Sequence, residues 1–205
     1  MGSERRLIRV ERLLRRCTIL EPDAASVFET VFCAEQARSV DVVACAQCAR
    51  FAGRNDSAAP SLVCDWQSED AEIATRANVA RLMALETVCV RGDVQVAKLR
   101  ALRLAPGMSV PVVDPARTLV GVVLPHDLAP IDDPFAAWNV ARDVMGPRTL
   151  RLPEWATVRD AAAFMVSKRV RSAVVVDTEG HVAGVVDDLA LLRWVAARAE
   201  RVPAG

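Results

Sequence analysis

VPVVDPARTLVGVVLPHDL, residues Val110 to Leu128, and AVVVDTEGHVAGVVDDLAL, residues Ala173 to Leu191, are two versions of one pattern. Each runs as an apolar strand, an Asp-led turn, a second apolar strand containing Gly, and an acidic residue before a further apolar stretch. Asp114 and Asp177 stand 63 residues apart, as do Gly121 and Gly184. Upstream, VARLM (Val79 to Met83) returns as VARDVM (Val140 to Met145), with the two methionines 62 apart. A single-residue indel therefore separates two copies of about sixty residues, the signature of a repeat architecture. A unit that short buries only roughly 60% of its unfolded surface. Two copies packed sheet to sheet are the expected folding unit.

Each copy reads β-α-β-β-α, an α+β class. In the second, Arg148 to Leu152 is a short strand, and Thr157 with Asp160 forms a capping-box pair that starts a helix. Val158, Ala161, Ala162, Met165 and Val166 fall on one face of that helix. Ala173 to Val176 is a continuous apolar run, suited to a strand covered on both sides. Thr178-Glu179-Gly180 is a turn, His181 to Val186 the returning strand, and Asp187 or Asp188 caps a last helix through Leu191, Leu192 and Val195. The first copy follows with Thr87 to Val90, a helix near Val94 to Arg103, Val110 to Val113, and Leu119 to Val123. Its last helix is cut short by Pro130 and Pro134.

Bulk properties exclude several classes. The 205 residues carry 26 basic and 26 acidic side chains, so net charge points neither to nucleic acid nor to an anionic membrane. There is no tyrosine and only 4% aromatic residues, a poor composition for stacking bases. No apolar run approaches the roughly 20 residues of a membrane span, and the start lacks the apolar stretch of a secretory signal. A cytoplasmic location is the expectation. There, six cysteines read as thiols or metal ligands before disulfides.

The motifs ARDVM, TL-RL, ATVRDAAAFM, AVVVD and AGVVDDLALL in the second copy, with ARLM, TVCV, SVPVVD and LVGVVLPHDL in the first, resemble those of CBS repeats. The resemblance covers roughly residues 72 to 198. It implies a compact tandem pair, also called a Bateman module, that senses ligands or docks partners, often dimerises, and in many members binds adenine nucleotides in clefts between the repeats. It implies no catalysis. The family's closing motif supplies a Thr or Ser for phosphate and, three residues later, an Asp for ribose. In the first copy Asp127 holds the Asp position beside His126, while Leu124 replaces the hydroxyl; backbone around Val88 and Val110 is the place for an adenine. In the second copy Asp187 stands at the hydroxyl position and Ala190 at the Asp, so an anion faces where phosphate would lie. Arg169 and Arg171 occupy a region where the family often carries basic residues near phosphate, and equally form a helix end that favours cations.

Ahead of the repeats, Cys33, Cys45, Cys48 and Cys64 are separated by 11, 2 and 15 residues. A C-x-x-C pair can grip one ion at metal–sulfur distances of roughly 2.3 Å. Val31-Phe32-Cys33 and Ser39 to Val43 read as a hairpin, and Ser61-Leu62-Val63 as a further strand leading to Cys64. With few large apolar residues, the segment is expected to draw much of its folding energy from a metal. It resembles a degenerate zinc ribbon. Zinc is the expected ion, iron the alternative, and a thiol–disulfide pair at Cys45 and Cys48 a third. Cys17 and Cys89 fall outside the pattern, Cys89 as core.

The first sixteen residues hold Arg5, Arg6, Arg9, Arg12, Arg15 and Arg16 against Glu4 and Glu11. With Ile8, Leu13 and Leu14 they suggest an amphipathic helix or a charged arm. The expected organisation is a basic arm at 1–30, a small β-rich metal knuckle at 31–67, repeats at 68–131 and 132–198, and a tail at 199–205. The expected function is a non-enzymatic regulatory or scaffold protein: a homodimer sensing a small ligand, such as an adenine nucleotide, or a protein partner, with a structural zinc. The alternatives are an iron-binding redox or metal sensor, and a nucleic-acid-binding regulator using the arm. Hydrolytic or transferase chemistry is the weakest reading, since neither His126 nor His181 has an evident nucleophile beside it in sequence.

Overall fold

The computed structural model describes residues 7–67, 78–102, 108–128, 138–147 and 150–199. The expected junctions at residues 68 and 131/132, Arg5 and Arg6, and all but the first residue of the tail lie outside them. In chain order the elements are β1 (Leu7–Leu20), β2 (Ala25–Cys33), β3 (Arg38–Asp41), α1 (Val42–Ala46), β4 (Phe51–Asn55) and β5 (Ser61–Gln67). There follow β6 (Glu86–Arg91), α2 (Val96–Ala101), β7 (Val110–Val113), β8 (Leu119–Val123), α3 (Ala141–Val144), β9 (Arg151–Pro153), α4 (Val158–Lys168), β10 (Ser172–Val176), β11 (Val182–Asp187) and α5 (Asp188–Ala199).

The described elements follow the predicted order within each repeat, although Ala162 and Val166, expected on the covered face of α4, are exposed, and positions 103 and 148–149 of the expected elements lie outside the described residues. Thr157 and Asp160 make the reciprocal capping box, with the Asp160 N–H donating to Thr157 Oγ1 at 3.1 Å and the Thr157 N–H to Asp160 Oδ2 at 2.9 Å. Every residue of β10 is buried. Asp187 caps α5 by accepting the Ala190 N–H at 2.7 Å. In the first copy the last helix is reduced, among the described residues, to one 3-10 turn over Pro125–Leu128.

The two copies meet about a local twofold. Ser109 and Ser172, 63 residues apart, share a buried Oγ–Oγ hydrogen bond of 2.9 Å. Thr118 and His181, again equivalent positions, bridge the two strand turns. The lead-in segments are exchanged. Met83, which opens the first copy, packs on Gly184 of the second, and Met145 packs on Gly121 of the first. The Ala84 N–H donates to Val185 O at 2.9 Å, and reciprocally Gly146 donates to Val122 O at 2.8 Å. Sheet to sheet, Val113, Leu119 and Val122 pack on Val174, Val176, Val182 and Val185.

One reading fails. The arginine-rich segment is a fourteen-residue strand, not an amphipathic helix. Burial falls on residues 10, 12 and 14 and then on 15, 17 and 19, a period of two that changes phase at Leu14–Arg15. At that point β1 passes from β5, its partner over residues 7–13, to β2 over residues 14–20. Residues 16–20 also run parallel to β6 of the first repeat. Buried Arg12 and Arg15 hide the alternation from a hydrophobicity reading. The result is an eight-stranded sheet ordered β3-β2-β1-β6-β7-β8, with β4 and β5 attached through β1, opposite a three-stranded sheet β11-β10-β9. The cysteine-bearing segment also has a small core of its own, Leu14, Val31, Val40 and Leu62, which β1 helps to supply.

Candidate functional site

The four cysteines named from the sequence line one small cavity without their sulfurs meeting. Cys33 ends β2, Cys45 lies on α1, Cys48 follows it, and Cys64 lies on β5. α1 is fixed by Asp41, whose side chain accepts the Val43 N–H at 2.8 Å, and the chain then turns through Cys48 N–H to Cys45 O at 3.0 Å. All four line one cavity of about 30 Å³, together with Phe32 and Trp66. That space suits an ion or a water, not an organic ligand.

Burial shifts two of the four thiols. Burial pushes the Cys45 thiol up to about 11, and Cys33, Cys64 and Cys48 push it the same way because their negative forms would repel. Burial also raises Cys64, against the pull of Arg12. The Arg50 N–H donates to Cys48 Sγ at 3.5 Å. Arg50 and Arg12 stack on the Trp66 ring, 4.8 and 5.6 Å from its centre, placing positive charge beside the sulfurs. Thiols are the donor type that zinc or iron takes, but no three of these four sulfurs lie within 4.8 Å of one another in this structure.

Among the described residues, the ligand atoms that do lie within 4.8 Å of one another are those of Asp177, Glu179 and His181, not those of the cysteines. Here the turn accounts for the grouping. Asp177 Oδ1 accepts the N–H groups of Glu179 and His181 at 2.9 Å, and its Oδ2 lies 3.2 Å from His181 Nδ1.

The residues expected at the ligand cleft are not gathered in this way. Asp127 Oδ2 accepts the Leu124 N–H at 2.7 Å, and its Oδ1 is 3.4 Å from His126 Nε2, so the carboxylate caps its own 3-10 turn. Val88 is part exposed on β6, whereas Val110 is buried. Arg171 Nε is paired with Asp188 at 2.8 Å, and Arg169 ends α4 in the left-handed conformation at φ 55°. The best-defined cavities among the described residues are lined by other side chains. Two features escape the sequence reading altogether: the buried Glu154, and a cavity ringed by Arg12, Arg15 and Arg81. Nothing in their sequence neighbourhood marks either one, because the burial comes from β2, β3 and the lead-in segment.

The CBS domain family model matches residues 141–197. No curated protein matches the chain. Among solved structures, CBSX2 in complex with AMP is 24% identical with a TM-score of 0.54, the match covering 62% of this chain and 100% of that one. The CBS-pair protein CBSX2 from Arabidopsis thaliana gives 24% identity and a TM-score of 0.53, over 62% and 99% of the two chains. The cytosolic domain of the Mg2+ channel MgtE in complex with ATP gives 25% and 0.51, over 60% of this chain and 53% of that one. Sequence and fold agree on the repeat half: residues 141–197 match the CBS domain model, and with their partner copy they have the fold of the CBS domain pairs.

Proposed function

We propose that this chain is a non-catalytic regulatory protein whose CBS pair binds a small ligand of the adenine-nucleotide class and dimerises through its repeats. The observation that carries the reading is the reciprocal exchange of Met83 onto Gly184 and Met145 onto Gly121, which makes the two copies one mechanical unit. A ligand wedged between the copies changes their relative packing, and any partner resting on both senses the change. Asp127 serves as the ribose acceptor once its turn opens, with His126 beside the phosphate. Val88 and Val110 flank the base, and Arg169 and Arg171 lie at the second cleft. Titration calorimetry with ATP, AMP and S-adenosylmethionine tests this: saturable binding weakened by Asp127→Asn supports it, and no binding of any of the three overturns it.

A second reading concerns the cysteines. Four cysteines lining one small cavity favour a structural zinc held by Cys33, Cys45, Cys48 and Cys64, whose sulfurs would draw together around the ion. Bound zinc would supply charge neutralisation and cross-linking of β2, α1 and β5. Metal analysis of protein purified without added metal decides it: one zinc and no colour supports this assignment, while iron with a visible chromophore supports a redox or metal-sensing role instead.

A further inference from the structure

Where β1 changes partners, Arg12, Arg15 and Arg81 ring a cavity of about 220 Å³ that Phe32 and Ala80 also line. Arg12 and Arg15 are 7% and 5% exposed, an unusual degree of burial for guanidinium groups. Arg15 is held by the carbonyls of Ala80 and Leu13. Its Nε is buried without a hydrogen-bond partner among the described residues. Arg12 stacks on Trp66, and Arg81 stands at the rim; both have further partners of their own.

Two described carboxylates lie near Arg15. Glu11 lies on the exposed rim, and buried Glu154 spends both oxygens on the Ser39 N–H, at 2.6 and 2.7 Å. Burial drives Glu154 up to about 7, so much of its charge is lost near neutral pH. Burial, offset in part by Glu154 and reinforced by Arg81, pulls Arg15 down to about 10. A buried donor lacking an acceptor, as Arg15 Nε is among the described residues, is costly, and an oxyanion would satisfy it with a charge-assisted bond.

We infer that this cavity is a binding site for a small oxyanion of the phosphate or diphosphate class, gripped by Arg15 and Arg81 and bordered by Arg12. Its volume falls below the roughly 300–1,000 Å³ of sites for larger organic ligands, which excludes a whole nucleotide. The planar fork of Arg suits phosphate oxygens in pairs. The site joins two parts of the molecule, because Arg12 and Arg15 belong to the strand that carries the cysteine unit and Arg81 to the exchanged lead-in of the first repeat. An anion there stiffens the link between the cysteine unit and the CBS pair.

The test is titration of the full chain with inorganic phosphate and with diphosphate, in a buffer free of both and of sulfate. Wild type is expected to bind diphosphate saturably, and Arg81→Ala, an exposed position, to weaken it about tenfold while the chain still unfolds cooperatively. Arg15→Met is expected to abolish binding. Asp127→Asn, in the nucleotide cleft, leaves it intact, which separates this site from the proposed nucleotide function. Absence of saturable binding to wild type overturns the inference, as does equal affinity in wild type and Arg81→Ala. Loss of binding in Asp127→Asn also overturns it, because the anion would then belong to the cleft.

Discussion

Glu154 has no exposed surface, and its carboxyl is raised from the usual range to about 7, first by burial and further by Asp177, against the Ser39 N–H and Arg15. The folded state therefore keeps a proton that the unfolded chain releases above a pH of about 4.5. This contribution is greatest below that pH, falls as pH rises through 7, and stays lost above it. Its size is roughly 3 kcal/mol, from a shift of about 2.5 units at 1.36 kcal/mol each. Glu154→Gln, neutral at every pH, should flatten that slope and be relatively more stable at pH 8. Urea melts of both proteins at pH 5 and pH 8 check this, and parallel losses in the two would sink the assignment. The repeat glycines offer a second contrast. A Cβ at Gly121 would lie 2.3 Å from Met145 Sδ and 3.0 Å from the backbone oxygen of Gly146, whereas at Gly184 the nearest atom is Met83 Sδ at 2.9 Å. Gly121→Ala should cost about 1–3 kcal/mol and Gly184→Ala less, since a flexible Met can withdraw and a backbone carbonyl cannot. Denaturant midpoints rank the two.

At the scale of elements, local chemistry and tertiary pairing decide different things. The start of α4 is written in Thr157 and Asp160, and Thr157→Ala should lower stability by about 1 kcal/mol in equilibrium unfolding. A stability loss below a few tenths would mean the box contributes nothing to the fold. β1 is the opposite case. Its apolar residues at 8, 13 and 14 among arginines resemble a charged helix, and no local signal states that Arg12 and Arg15 are buried. The strand exists because β5, β2 and β6 each offer it an edge. Its outward arginines are tied to the fold as well, Arg9 to Asp65 at 3.5 Å and Arg16 to Glu29 at 3.2 Å. These exposed pairs add little stability, but they use positive charge that a nucleic-acid reading of the arm would require.

Over the whole molecule the two repeats are not equivalent surfaces. The second copy exposes Trp155, Val166, Leu192 and Val195 at 61%, 78%, 64% and 55%, an apolar face on and beside α4 and α5. Dimerisation through that face is the expectation. Leu192→Asp with Val195→Asp should turn a dimer into a monomer in sedimentation analysis, with the fold retained because both side chains are exposed. A monomeric wild type would refute it. If zinc is bound, Cys45→Ser should lose the metal and lower the melting temperature of the whole chain, not of a separate knuckle, because β1 lies in both parts. A two-step unfolding curve for wild type would contradict that coupling.

The sequence by itself determined the tandem repeat, the order of strands and helices within each copy and the capping of α4. Those features rest on local periodicity and turn chemistry, both of which are carried by neighbouring residues. Only the tertiary structure decided that the lead-ins are exchanged, that the arginine arm is a strand in the first repeat's sheet, and that Glu154 and Arg15 are buried. Each of these depends on which distant surface covers a residue. Burial by remote elements leaves no trace in the local pattern when the buried side chain is charged.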